Sequence, residues 1–376
     1  MADNSIGNIF RATCFGESHG NVIGVIVDGT PAGLDFEIET IQKELNLRKP
    51  HQSNLTSTRE EEDEVVVLSG IFNHKTTGAP ICMIIHNKHF ESSTYERSKH
   101  LLRPSHVDYV SLKRFGNFGD YRGSGIFSGR LTAGFVMAGA LAKEILATLN
   151  IKIFAYTRSI SKLIDHNTYN EGDFQTLYQL RESSSVRALS EALSGEMTSL
   201  ITTVKQEGDS VGGTIKCIIM NVPAGIGGPL FNSLESNLSK AMFSIPAVKG
   251  IEFGAGFDAT RMRGSEHNDP WIIENGRIMA SKNDSGGIIG GISTGMPIYF
   301  TIAIKPTASI SKKQQTVNME SMKPEIIKIK GKHDPCIVPR AIVIVEAMAA
   351  ITLVDQLMMQ GIIQPIIKKR DNEGTL

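Results

Sequence analysis

The sequence predicts an α+β fold, helices and strands assembled as two related halves. Three observations carry that prediction. Short β-branched runs recur along the chain, longer stretches repeat apolar residues every three or four positions, and four short motifs reappear in the same order in each half.

The elements follow in order. VIGVIVD at 22–28 and EVVVLS at 64–69 are short and β-branched and read as strands, as do 81–86, 151–157, 214–221 and 296–304. Helical spacing of apolar residues places helices at 36–47, 131–149, 186–203, 232–243 and 340–360. Residues 158–185 keep neither period and read as an irregular excursion, and the polar chain from Lys368 is expected to fray.

The repeat emerges when these elements are laid side by side. The strand at 22–28 runs into TPAG and a helix, and the strand at 214–221 runs into VPAG and a helix. SGIFNHKTTGAPICMII (69–85) is echoed by GGIIGGISTGMPIYFTI (286–302), each leading Thr-Gly-x-Pro-Ile into a strand. RPSHVD (103–108) and GKHDP (331–335) are loops with a His and an Asp, and each copy closes on an arginine heading an apolar helix, Arg130 and Arg340. The reading is one domain, 1–365, of two pseudo-repeats, about 1–150 and 205–362, followed by a polar tail, 366–376. A pseudo-twofold would bring the two His-bearing loops and the two Arg-headed helices to shared sites.

Composition excludes several functions. Lys plus Arg and Asp plus Glu each total 39 in the 376 residues, so no global field draws the chain to nucleic acid or an anionic membrane. Cys14, Cys82, Cys217 and Cys336 lie far apart, with no CxxC pair and no histidine at zinc spacing, and read as buried reduced thiols of a cytoplasmic protein. The start, MADNSIGNIFRATCF, has no signal-peptide profile, and charge or glycine interrupts the apolar stretches before bilayer length. The lack of DxD, HxH or CxxC clusters argues against a metal.

Two motifs imitate hydrolases. GESHG (16–20) has the G-x-S-x-G spacing of a nucleophile elbow, but that elbow passes from strand to helix, whereas here a strand follows. It reads instead as a strand-to-strand turn presenting Glu17, Ser18 and His19, and the motif alone leaves His19 either a surface residue or a chemical one. GDSVGG (208–213) is similar to the GDSGG of trypsin-like proteases, yet those are β-barrels with few helices, so Gly212 and Gly213 read as the start of a strand with close backbone approach.

The segment RPSHVDYVSLKRFGNFGDYRGSGIFSGR (103–130) intersperses Arg103, Lys113, Arg114, Arg122 and Arg130 with five glycines and runs into a helix N-terminus, a composition suited to binding anions. NDSGGIIGG (283–291) lacks the G-x-G-x-x-G of a dinucleotide fold, though its backbone could lie against a planar ring or phosphate. KPTASI (305–310) offers Lys, Thr and Ser for phosphate and carbonyl oxygens, and Lys332 and Arg340 flank His333 and Asp334 with positive charge.

In fixed order over about residues 5–360, GESHG, RPSHVD, DYRGSG, GDSVGG, MRGSEHND, GGIIGGIS, KPTASI and KHDP resemble the chorismate synthase family. The resemblance implies a β-α-β sandwich with helices packed between antiparallel sheets, and a homotetramer. It implies anti-1,4-elimination of phosphate and the C6 hydrogen from 5-enolpyruvylshikimate 3-phosphate, giving chorismate, with reduced FMN required despite no net redox change. NADPH would enter only if the protein reduces its own flavin. By resemblance, Arg48, Arg103, Arg130 and Arg340 hold the substrate's anions. His19 offsets the leaving phosphate's charge, His106 stabilises the reduced flavin, and Asp334 helps its N5 accept the hydrogen. The flavin site would draw on Ile126, Phe127, Ser128, Pro246, Ala247, Gly290, Lys305, Pro306, Thr307, Ala308, Ser309 and Lys332. The chain departs from the family's commoner pattern at RKPH (48–51, often RRPG) and at Asn54 (often Arg). It departs again at Ile126 and Phe127 (in a segment often RSS), at Lys332 (often Arg) and at Ser105 (often Gly), and loss of a guanidinium weakens bidentate anion binding.

Overall fold

Alternation of apolar side chains builds the first sheet. The computed structural model describes residues 3–49, 55, 62–88, 96, 99–170, 172–329, 331 and 333–367. β1 (Ser5–Ile6) and β2 (Arg11–Gly16) lead into β3 (Val22–Asp28), which buries Ile23, Val25 and Val27 on one face. After the TPAG turn come α1 (Ile38–Arg48), β4 (Val65–Val67), a small hairpin of β5 (Ile71–Phe72) and β6 (Lys75–Thr76), and β7 (Ile81–His86). The strands pair antiparallel in the order β1-β2-β3-β7-β4.

The chain continues through α2 (Asp108–Phe115), α3 (Thr132–Ala147), β8 (Lys152–Ile160), β9 (Leu163–Ile164), α4 (Phe174–Ser183) and α5 (Glu191–Gln206). Then follow β10 (Gly213–Met220), α6 (Leu234–Phe243), β11 (Val248–Phe253) and the one-turn α7 (Gly264–His267). Two hairpins come next, β12 (Trp271–Glu274) with β13 (Arg277–Ala280) and β14 (Ile288–Ile289) with β15 (Ile292–Ser293), and then β16 (Ile298–Ile304). A third hairpin, β17 (Lys313–Asn318) with β18 (Lys323–Lys328), precedes α8 (Val338–Met359). The second sheet is also antiparallel, in the order β11-β16-β10-β8-β9. Counted from the strand before each PAG turn, the two sheets share one order, β2-β3-β7-β4 in the first and β8-β10-β16-β11 in the second.

Helices fill the space between the sheets. α3 packs on β2 and β3, α8 packs on β8 and β10, and α3 and α8 lie against each other. They cross where Gly139 faces Ala347: a Cβ on Gly139 would come within 2.4 Å of the Ala347 Cα, so only glycine permits this approach. α8 is long and apolar enough to cross a membrane by length and composition, but 94% of its apolar window is buried inside the protein, as befits a core helix. Its Glu346 accepts from Lys143 Nζ (2.7 Å), Arg181 Nη1 (2.6 Å) and the Ala155 amide (2.8 Å), while Lys143 also reaches Glu44 (2.7 Å). This buried network joins α1, α3, α4, β8 and α8.

The predicted strands and helices are present with ends moved by a few residues, and the differences have local causes. The 158–185 excursion is partly ordered: it holds the end of β8, β9 and α4, whose N-cap Asp173 accepts from the Thr176 amide. The helix expected from 186 begins at Glu191, because Ser190 caps it and Arg187 before it is left-handed (φ 55°), with Val186, Ala188 and Leu189 buried in the turn and loop that precede it. Cys217 and Cys336 are buried, but Cys14 and Cys82 are only partly so, correcting the expectation of four buried thiols. The tail from Lys368 lies outside the described residues.

Candidate active site

The GESHG segment joins β2 to β3, strand to strand. Gly16 has φ 96°, and a Cβ there would meet the Val22 carbonyl oxygen at 2.2 Å. Asn87 clasps the turn from outside, its Nδ2 donating to the Glu17 carbonyl (3.1 Å) and the Gly20 carbonyl (2.8 Å). His19 is presented inward against Gly123, whose position allows no side chain: a Cβ would meet the His19 Cε1 at 2.4 Å and Ser18 Oγ at 2.6 Å. The Ser18 amide also donates to the Gly125 carbonyl at 3.3 Å, so GESHG and DYRGSG form one surface.

Three successive left-handed residues, Gly123, Ser124 and Gly125, shape that surface. Ser124 is buried there, and its Oγ accepts from Arg103 Nη2 at 3.0 Å. Arg103 forks onto Asp108 (Nε to Oδ2 2.9 Å, Nη2 to Oδ1 2.5 Å), and its carbonyl accepts from the His106 amide at 3.1 Å. Ser105, where the family often has glycine, sits at φ 55°. Its carbonyl accepts from Lys305 Nζ at 3.2 Å, and the Lys305 amide reaches the Ala247 carbonyl at 3.0 Å.

His106 is therefore ringed by cations. Burial, then the Arg103 charge, with further contributions from Lys305 and His333, lowers its pKa to about 4, against the opposing charge of Asp108. The charge of His333 thus acts on His106 from the second His-bearing loop. Asp120, behind Gly125, would be raised by burial, but hydrogen bonds from Arg122 and the nearby His19 hold its carboxyl below the usual range.

The Arg-headed helices also meet. Arg340 donates Nε to the Arg48 carbonyl (3.1 Å), and Arg48 Nη2 reaches the Arg130 carbonyl (3.5 Å). Arg340 Nη1 pairs with Asp334, and Asp63 pairs with both Arg48 and Arg130. The loop of Asp334 is held by the GDSVGG segment, since the Val211 amide donates to the Pro335 carbonyl (2.9 Å), and the same segment ties the KPTASI loop through Ser210 Oγ to the Thr307 carbonyl (2.6 Å). Gly212 and Gly213 have the expected close backbone approach: a Cβ would meet Ile304 O at 2.2 Å and Ser159 O at 2.0 Å respectively.

A ring of contacts thus links His19, Gly123, Ser124, Arg103, His106, Lys305 and Ala247 on one side with Arg130, Arg48, Arg340 and Asp334 on the other. Ile126, Phe127 and Ser128 adjoin it, with Ser128 capping the turn of Arg130. Other predicted residues fall elsewhere. Arg114 pairs with Asp3 on the surface, Lys113 lies over the Tyr109 ring, and Arg122 folds back on Asp120. Gly290 sits in the β14–β15 turn near the start of α6, whereas Pro246 and Ala247 follow its end, so about 15 Å of helix separates them. Lys332 and Asn54 lie outside the described residues.

The donors fit a phosphorylated, carbonyl-bearing cofactor. Thr307 Oγ1 is buried without a hydrogen-bond partner among the described residues, beside Lys305 and buried Ser309. Sequence reading missed Asp63 and Asn87. The first lies in the acidic run REEEDE, where nothing distinguishes it from its neighbours.

The family model for chorismate synthase matches residues 10–358. The chain is 47% identical over 366 residues to a chorismate synthase of Dehalococcoides mccartyi, covering 97% of this chain and 100% of that one. It is 49% identical to one of Korarchaeum cryptofilum (96% and 100% covered) and 46% to one of Methanocaldococcus jannaschii (96% and 98%). A crystal structure of a chorismate synthase superposes with a TM-score of 0.73 at 28% identity, covering 94% of this chain and 93% of that one.

Proposed function

The chain belongs to the chorismate synthase family and is a lyase of that kind, and from that premise we propose how its residues carry the conversion of 5-enolpyruvylshikimate 3-phosphate to chorismate. The substrate bears a phosphate and two carboxylates, and Arg48, Arg103, Arg130 and Arg340 supply guanidinium forks suited to them. His19 faces the leaving phosphate, offsetting its growing charge and donating a proton to it. His106 is held neutral by burial and by the cations around it, and gains a proton when an anion binds beside it. Asp334, oriented by Arg340, would assist removal of the ring hydrogen.

Lys305, Thr307, Ser309, Ala247 and residues 126–128 would hold FMN, with Pro246, Pro306, Ala308, Gly290 and Lys332 as further members of that set. When bound and reduced, the flavin supplies transient electron density to the breaking bond. The observation that carries this reading is the contact ring joining the two His-bearing loops to the two Arg-headed helices. The equal strand order of the sheets supports duplication within one domain. A homotetramer in the cytoplasm belongs to the same proposal, as does NADPH if the protein reduces its own flavin. The test is anaerobic incubation with reduced FMN and the substrate: release of phosphate together with chorismate is expected. No release from folded, flavin-loaded protein overturns the reading.

A further inference from the structure

We propose that Asp63 is a positioning residue for this reaction, locking Arg48 and Arg130 into a single clamp for the substrate's anionic groups. The inference deepens the reading above and rests on it. The two guanidiniums come from distant elements, the last residue of α1 and the turn that heads α3. Asp63 Oδ2 accepts from Arg48 Nη1 at 3.0 Å, its Oδ1 accepts from Arg130 Nη1, and its carboxylate is wholly buried.

Two guanidiniums held this close repel each other, and one shared carboxylate halves their charge while fixing their angle. Burial would raise the Asp63 carboxyl, but the charges of Arg48 and Arg130 prevail and hold it below the usual range, so it stays ionised. Asp63 is itself pinned. Its backbone is left-handed (φ 46°), its carbonyl accepts from Gln42 Nε2 (3.0 Å), and Gln42 Oε1 accepts from the Val65 amide (3.0 Å). Each arginine has a second tether, Arg48 Nε to Thr132 Oγ1 (3.2 Å) and Arg130 Nε to Asn87 Oδ1 (3.1 Å). Since Asn87 also clasps the His19 turn, the carboxylate is connected through Arg130 to the imidazole that faces the leaving group.

Asp63→Asn keeps the shape, removes the charge and turns an amide N–H toward a guanidinium. Gln42→Leu leaves the charge and removes the pin. Both are compared with wild type in anaerobic steady-state assays with reduced FMN and 5-enolpyruvylshikimate 3-phosphate, alongside circular dichroism. For Asp63→Asn, KM rises about tenfold or more while kcat stays within about threefold, as loss of a charge-assisted clamp on bound substrate requires. For Gln42→Leu, KM rises by about threefold. KM does not depend on the fraction of molecules folded, so a merely structural role leaves it unmoved. Unchanged KM in soluble Asp63→Asn overturns the proposal, and if that variant does not fold, unchanged KM in Gln42→Leu does so. Absence of turnover in wild type would instead defeat the reading of the site.

Discussion

Gly123 lies so close beneath His19 that a Cβ there would fall 2.4 Å from the imidazole Cε1 and 2.5 Å from Nδ1. The ring is thus seated by backbone, with glycine also meeting a left-handed φ of 56°. Gly123→Ala must push the imidazole away, and turnover should fall about a hundredfold although His19 remains. The check is kcat/KM of the folded variant; wild-type activity would show that the seat is irrelevant to His19.

His19 and Ser18 separate chemical from turn roles. His19→Ala should lower kcat by about a hundredfold or more, as expected for loss of an acid and a cation at the leaving group. Ser18→Ala should stay within about threefold. Phosphate-release assays decide, and a reversal of that order would revive a serine nucleophile.

His106 should make stability depend on acidity. Its pKa is about 4 in the folded protein against 6.5 ordinarily, so between those values the unfolded chain takes up a proton that the folded one refuses. Stability is therefore full above pH 6.5 and falls as pH drops toward 4, by on the order of 3 kcal/mol. Urea melts across that window should show a smaller loss for His106→Gln. Equal slopes would mean that the imidazole is not kept neutral.

Glu346 anchors two buried cations. Burial opposes its ionisation, yet Lys143 and Arg181 bring its pKa down to about 2. Glu346→Gln leaves those cations underpaired and should reduce stability by about 3 kcal/mol in denaturant titrations. A change within experimental scatter would show that Glu44 suffices for Lys143.

Much of this was legible in advance because it is written in local pattern. β3 and β7 were set by β-branched alternation, and α3 and α8 by apolar spacing. His19, His106, Arg130 and Arg340 were visible because each sits in a motif of unusual composition. What escaped depends on distant partners. α2 lay within a glycine-rich segment whose anion-binding composition masked its helical turns. β17 is polar at every position but Val317 and gains its place by pairing with β18, while Leu101 and Leu102 dock on it. Asp63 stands in an acidic run and acquires meaning only when Arg48 and Arg130 converge on it from 15 and 67 residues away.

The contact of Gly139 with Ala347 has a reach beyond the core. From that crossing, roughly two helical turns lead along α3 to Arg130 and along α8 to Arg340, whose ends Arg48 bridges. The two helices behave as the arms of a caliper whose pivot is a single hydrogen in place of a methyl group. The spacing of those two arginines is thereby set in part deep in the interior, where two backbones touch.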